Sequence, residues 1–133
     1  MKRVVFLLLM LIVTVLVNSC GNKSDEAKIR AVEFLDAYFD VDYMRAAEYC
    51  TDELKGDIIR AFEQIESLEP GIKESVIQST SQTKTEITSV DTESKRDTIL
   101  VNYKVILPSF PNGIDRQLSL VKEGTVWKIC SLE

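Results

Sequence analysis

The sequence predicts an α+β fold in which N-terminal helices pack on a curved antiparallel sheet of about four strands. From residue 27 to residue 69, apolar residues recur at three- and four-residue spacing, as they do along one face of a helix. From residue 83 onward, apolar residues alternate with polar ones, as they do in strands with one buried face. Helices followed by hairpin-linked strands are typical of a sheet that helices cover on one face.

Three helical segments are predicted before residue 70. The first, residues 27–39, carries a wide apolar stripe made of Ile29, Val32, Phe34, Leu35, Tyr38 and Phe39. Asp40 and Asp42 interrupt this helix because aspartate favours caps and turns, and the pattern resumes at residues 43–50. Thr51 is a good N-cap for the third helix, which Pro70 and Gly71 are expected to end. Residues 72–82 fit either a last helical turn or an edge strand.

Four strands are predicted after residue 82, at residues 83–91, 97–107, 114–122 and 125–132. A turn at residues 93–96, a loop around Pro108 and residues 111–113, and a tight hairpin at Glu123 and Gly124 separate them. The second strand has the clearest alternation, with Ile99, Val101, Tyr103, Val105 and Leu107 on one face.

Cys50 and Cys130 could form a disulfide, which would close a long loop and contribute roughly 4 kcal/mol to stability. In the last strand, however, Trp127 and Ile129 share one face and Cys130 lies on the other. If Trp127 faces the helices, Cys130 points away from Cys50. The pattern therefore favours two free thiols, with the disulfide as the alternative.

Residues 1–19 have the organisation of a secretory signal peptide. Lys2 and Arg3 precede an apolar run at residues 4–17, and Asn18 and Ser19 follow it. A membrane-spanning helix needs roughly 20 apolar residues, so this run is short for a permanent span. An uncleaved single-pass anchor is the alternative.

Residues 17–20, Val-Asn-Ser-Cys, resemble the lipobox of bacterial lipoproteins, in which an aliphatic residue lies three positions before the cysteine. The resemblance implies that Cys20 is diacylated, that the chain is cut before it, and that residues 20–26 form the lipidated cysteine and its tether. Each buried lipid CH₂ contributes about 0.8 kcal/mol, so two or three acyl chains hold a protein durably on a bilayer. We therefore expect a lipid-anchored protein of the bacterial cell envelope, at the outer membrane and facing the periplasm or the exterior. A coincidental cysteine is the alternative.

The composition argues against several classes of function. The chain has 16 basic and 21 acidic residues, and removal of residues 1–19 leaves 14 basic residues and a net charge of −7. This acidic balance disfavours nucleic-acid binding. The chain contains no histidine, no CxxC pair and no phosphate-binding glycine loop among its five glycines. We therefore expect no metal and no cofactor.

Residues 31–50 resemble the opening helix pair of small bacterial lipoproteins with a nuclear-transport-factor-2-like (cystatin-like) domain of unknown function, related to lumazine-binding-like domains. The shared features are an aromatic-leucine pair, an acidic break, a tyrosine and an alanine pair, here Phe34-Leu35, residues 40–42, Tyr43 and Ala46-Ala47. Residues 118–132 resemble the terminal hairpin of the same group. Val41 stands where that group often has glycine. The resemblance covers residues 27–133 and implies a cone-shaped sheet with a pocket at its open end.

A non-catalytic domain that binds a protein, an envelope polymer or a small ligand is our first functional hypothesis. The aromatic residues that could line the pocket mouth are Tyr38, Tyr43, Tyr103, Phe110 and Trp127. Packing in the core is the alternative role for each of them, because aromatic residues at helical or alternating spacing usually belong to a core.

An enzyme of the isomerase or dehydratase type is the second hypothesis. Such an enzyme needs a buried acid or base with oriented donors, and a carboxylate of raised pKa beside a tyrosine could serve; Asp40, Asp42 and Asp97 are the candidates. Each of them is more simply explained as a cap or turn residue, so we expect no catalysis.

A homodimer formed through the outer face of the sheet is the third hypothesis, and it is compatible with the first. Leu100, Ile106 and Val126 are expected to be exposed on that face. A contiguous apolar patch there would favour association.

Overall fold

The computed structural model describes residues 22–133, so the predicted signal peptide and Cys20 lie outside the described residues. In this part of the chain four helices precede four strands, which confirms the predicted α+β class. The helices are α1 (Lys23–Phe39), α2 (Tyr43–Glu48), α3 (Asp52–Glu66) and α4 (Pro70–Ser81). The strands are β1 (Lys84–Asp91), β2 (Thr98–Leu107), β3 (Phe110–Glu123) and β4 (Val126–Leu132). None of these four helices combines the length and hydropathy that a bilayer span requires.

Helix α1 begins four residues earlier than the sequence predicted. The side chain of Asn22 accepts a hydrogen bond from the backbone N–H of Ser24 at 3.1 Å and so caps the helix. Asp25 and Glu26 lie in the first turn, where the helix dipole favours negative charge. Residues 23–26, which we expected to belong to the tether, are therefore helical.

The predicted break at residues 40–42 is a Schellman turn. The backbone N–H of Val41 donates to the Tyr38 carbonyl at 3.1 Å, and that of Asp42 donates to the Ala37 carbonyl at 2.9 Å. The turn holds Val41 at a φ of 60°, a left-handed conformation that is unfavourable for a β-branched residue. The structural position of Val41 is therefore one that glycine occupies without strain.

Residues 70–81 form helix α4, which resolves the ambiguity at residues 72–82 and corrects the expected role of Pro70. Helix α3 ends at Glu66, and Pro70 occupies the first position of α4, where the fixed φ of its ring suits a helix start. Helix α4 buries none of its residues completely, which explains why its apolar periodicity was too weak to assign.

The four strands form one curved, unclosed antiparallel sheet in the order β1-β2-β3-β4. The loop expected near residues 108–113 is shorter than predicted, because Phe110 already pairs with Leu107. Gly113 lies within β3, and its φ of 78° accommodates the pairing irregularity between Val105 and Leu107.

One hydrophobic core lies between the helices and the face of the sheet that packs against them, called here the inner face. Its largest fully buried side chains are Phe34, Leu35, Cys50, Ile99, Val101, Leu118, Leu120 and Ile129. The edge of β4 is tied to the α2–α3 junction by two backbone hydrogen bonds, from Thr51 to Ile129 at 2.9 Å and from Ile129 to Tyr49 at 2.8 Å. These bonds fix the helical layer against the sheet.

Candidate functional site

A cavity of about 670 Å³ opens on the inner face. The C-terminal ends of α1 and α4 form one side of it, and residues of β2, β3 and β4 that lie beyond the core form the other. We call it the open-end cavity. Its lining residues are Tyr38, Phe39, Ser79, Thr80, Thr83, Tyr103, Val105, Leu107, Ile114, Arg116, Leu132 and Glu133. Its volume lies within the range of small-molecule sites, roughly 300–1,000 Å³.

The helical wall of the open-end cavity is aromatic. The ring centroid of Tyr38 lies 5.6 Å from that of Phe34 and 5.2 Å from that of Phe39. Tyr43 also contacts Tyr38, with 5.2 Å between ring centroids. These contacts hold the Tyr38 ring in place at the last turn of α1, so the wall is formed before any ligand binds.

The sheet wall carries two polar groups, Tyr103 and Arg116. These residues are paired across β2 and β3, so their side chains share the inner face. Burial raises the pKa of the Tyr103 phenol, and the nearby Arg116 guanidinium opposes part of that rise. Tyr103 is therefore a neutral hydrogen-bond donor at pH 7, beside a permanent positive charge.

Glu133 is the acidic member of the lining, but its side chain belongs to the other face of the sheet. Its backbone pairs with Gln117 through two hydrogen bonds, of 2.9 Å and 3.4 Å. Paired residues of an antiparallel ladder share a face and neighbours alternate, so Glu133 lies with Gln117, opposite to Arg116.

Two of the five predicted pocket residues, Tyr38 and Tyr103, line the open-end cavity. Tyr43 only supports Tyr38. Phe110 is 55% exposed next to the β2–β3 turn. Trp127 is 7% exposed at the opposite end of the molecule, near the N-terminal half of α1, so these three residues do not line the open-end cavity.

Arg116 and the hydroxyl groups of α4 were missed by the sequence reasoning. Arg116 interrupts an apolar alternation in β3 in which Ile114, Leu118 and Leu120 share its face. A charged residue on an otherwise apolar strand face could have identified Arg116 as a candidate site residue. Ser79 and Thr80 could not be assigned because their segment had no clear period.

The three candidate catalytic aspartates lie outside the open-end cavity, at exposed positions. Asp42 caps α2 by accepting a hydrogen bond from the Arg45 backbone N–H at 3.2 Å. Its carboxylate also forms an ion pair with the Arg45 side chain, as does that of Asp40. Asp97, with a side chain 93% exposed, occupies a turn at a φ of 59°. Asp42 is therefore a helix cap, and Asp97 is a turn residue.

The three residues that we expected to be exposed on the outer face of the sheet do not form one apolar patch. Leu100 is only 8% exposed, so its predicted exposure was wrong, and Ile106 is half-buried. Val126 is 37% exposed but lies at the distant β3–β4 hairpin. The middle of this face is polar, with side-chain hydrogen bonds from Asn102 to Ser89 at 2.8 Å and from Gln117 to Asn102 at 2.9 Å.

Cys50 and Cys130 are both free thiols, as the strand pattern favoured. Cys50 is buried in the core and donates a hydrogen bond to the Ala46 carbonyl at 3.4 Å. Burial raises the pKa of the Cys50 thiol to about 12, and the positive charge of Lys128 opposes part of this rise. Cys50 is therefore a core residue rather than a nucleophile. Residues 22–133 contain no cluster of three or more side chains that could hold a metal ion.

No family model, no curated protein and no solved structure matches this chain. The resemblance to lipoprotein domains that the residues carry therefore stays a prediction. The geometry of the open-end cavity is the basis for the function proposed next.

Proposed function

We propose that this protein is a lipid-tethered, non-catalytic domain of the bacterial cell envelope, of the nuclear-transport-factor-2-like type, that binds a small ligand in the open-end cavity. The observation that carries the proposal is an open, aromatic-lined cavity of about 670 Å³ beside an otherwise filled core. Binding sites for small molecules are commonly concave, mostly apolar and supplied with a few polar groups. Tyr38, Tyr103 and Arg116 are such groups.

Binding is favoured over acid–base catalysis by the kinds of polar group that line the cavity. Arg116 supplies the N–H donors of a guanidinium, and the raised pKa of Tyr103 keeps its phenol neutral. Both groups donate hydrogen bonds and neither exchanges a proton readily at pH 7. The candidate aspartates face solvent elsewhere.

The proposed tether gives the cavity a defined position relative to the membrane. Helix α1 starts three residues after Cys20, and three residues span at most about 10 Å. The 17-residue helix is about 25 Å long, and the open-end cavity lies at its far end. An acylated Cys20 would therefore hold the N-terminal end of α1 at the bilayer and leave the cavity accessible from the aqueous side.

Titration with 1-hexanol tests the binding proposal, using the acylated full-length protein in phosphatidylcholine nanodiscs. Leu107→Trp places a large ring in the cavity, and we expect it to abolish saturable binding. The matched control is Ile72→Trp on the exposed surface of α4, outside the cavity lining, which we expect to bind hexanol like the wild type. Equal binding by all three proteins, or by none, would contradict the proposal.

Substitution of Cys20 tests the proposed membrane anchor. We expect Cys20→Ala to release the protein from membranes or to leave an unprocessed precursor, and Cys130→Ala to leave both processing and membrane retention unchanged. Cell fractionation with intact-mass analysis measures both properties. Fully processed, membrane-retained Cys20→Ala protein would contradict the anchor.

A further inference from the structure

We propose that the open-end cavity takes an amphipathic monoanion, a molecule with one carboxylate and a short apolar tail. Arg116 binds the carboxylate, and Val105, Ile114 and Leu132 accommodate the tail. This inference rests on the proposed function and specifies the class of ligand that the same site selects.

Arg116 differs from the other arginines of residues 22–133 in having no carboxylate partner. The others form ion pairs: Arg30 with Glu33, Arg45 with Asp40 and Asp42, Arg60 with Asp57, and Arg96 with Asp97. Arg116 is exposed at the rim of the cavity, and the planar fork of a guanidinium can bind a carboxylate at two points. In a chain with 21 acidic residues, the absence of a partner at this one position leaves the guanidinium available to a ligand.

Neither neighbouring acidic side chain forms an ion pair with Arg116, although Asp115 and Glu133 line an adjoining groove together with it. Asp115 lies on the outer face, where it forms an ion pair with Lys104 at 3.7 Å. Glu133 shares that outer face with Gln117, as its backbone pairing requires. The inner face therefore presents the Arg116 charge together with the phenol of Tyr103.

The balance of charge and apolar surface selects a monoanion with a tail. One guanidinium compensates one negative charge, and among the described lining residues it is the only cationic side chain. A dianionic phosphate would carry a second negative charge that no other cationic side chain of the lining compensates. Val105 and Ile114 lie directly opposite each other across β2 and β3, two positions beyond the Tyr103–Arg116 pair. A tail that follows these residues leaves the carboxylate at Arg116.

Paired titrations with hexanoate, 1-hexanol, hexylamine and hexyl phosphate test the inference, with the full-length protein in phosphatidylcholine nanodiscs. We expect the wild type to bind hexanoate roughly tenfold more tightly than 1-hexanol, the scale of a charge-assisted hydrogen bond reduced by partial exposure. Hexylamine and hexyl phosphate should bind more weakly than hexanoate. Arg116→Gln should reduce hexanoate affinity to that of hexanol and leave hexanol affinity unchanged. The charge-matched control Arg96→Gln, on an exposed turn, should retain the wild-type preference.

Two kinds of result would overturn the inference, and they are distinguishable. If 1-hexanol binds in the cavity but hexanoate binds no more tightly, or if hexylamine or hexyl phosphate binds best, the choice of a monoanion is wrong and the ligand-binding function survives. If none of the four compounds binds, both proposals fail. If the Arg116→Gln variant keeps the tenfold preference for hexanoate over 1-hexanol, Arg116 is not the residue that binds the carboxylate.

Discussion

The two ends of the inner face differ in packing although the same helix runs along both. At the filled end, Ala27 and Ala31 let α1 lie close to the sheet, and Ile99 and Leu120 are completely buried. At the open end, α1 stops at Phe39 while the strands continue. Helix α1 is about 25 Å long, and β2, with 10 residues, is about 33 Å long. The cavity lies beside the last turn of α1, between it, the end of α4 and the strand residues that follow the core.

Shortening one leucine at each end should show the largest difference between the two ends, measured as the loss in free energy of unfolding. We expect Leu120→Ala, at the filled end, to lower the free energy of unfolding by about 2–5 kcal/mol, because it leaves a cavity in close-packed surroundings. Leu107→Ala, at the open end, should cost about 1 kcal/mol, because its side chain is only half-buried beside an existing cavity. Urea unfolding of the two variants measures the difference. Equal losses would contradict the contrast in packing.

Alkaline pH should destabilise the protein, in the first place through the buried thiol of Cys50. The pKa of Cys50 is about 12 in the folded state and near 9 when the thiol is exposed on unfolding. Above pH 9 the unfolded state therefore loses a proton that the folded state keeps, and stability falls as pH rises from about 9 to about 12. The raised pKa values of Tyr43 and Tyr103 act in the same direction.

Cys50→Ser separates the contribution of the thiol from that of the tyrosines, because serine can donate to the same Ala46 carbonyl but does not titrate in this range. We expect its unfolding free energy to fall less between pH 9 and pH 11 than that of the wild type. Denaturant unfolding at several pH values gives the two slopes. Identical slopes would show that Cys50 is not protected in the folded state.

Val41→Gly should stabilise the turn that ends α1 and so defines the edge of the open end. Glycine adopts the φ of 60° without the strain that valine has there, and its greater entropy in the unfolded state offsets part of the gain. We expect an increase of about 1 kcal/mol in the free energy of unfolding. The reverse control, Gly124→Ala at a φ of 62°, should lower it by a similar amount. A destabilised Val41→Gly variant would mean that packing of the valine outweighs its strain.

The sequence predicted those helices and strands in which apolar residues recur at a regular spacing. The stripe containing Phe34 and Leu35 and the alternation of β2 established the class of fold, because burial of one face forces a regular apolar spacing. Helix α4 could not be assigned, since it buries no residue completely and Pro70 is compatible with either end of a helix. The alternation in β4 placed Cys130 on the face opposite to Trp127 and Ile129, and so away from Cys50.

The site was predictable only in part, because the cavity forms where the ends of several helices and strands, distant in the sequence, come together in the fold. Nothing local to Trp127 reveals that the start of β4 lies at the filled end, whereas its final residues lie at the open end. Tyr38 and Tyr103 were identified by residue type. The place of Arg116 in the cavity could not be predicted from its strand alone. It depends on which half of that strand face the helices cover.

A methyl chemical-shift map tests the central claim most directly, that the open end is a ligand site and the filled end is not. The full-length protein with labelled Ile, Leu and Val methyl groups is titrated with 1-hexanol in nanodiscs. We predict saturable shifts at Val105, Leu107, Ile114 and Leu132, and unchanged resonances for Ile99, Leu120 and Ile129. Shifts that are absent, or spread equally over both ends, would contradict the account.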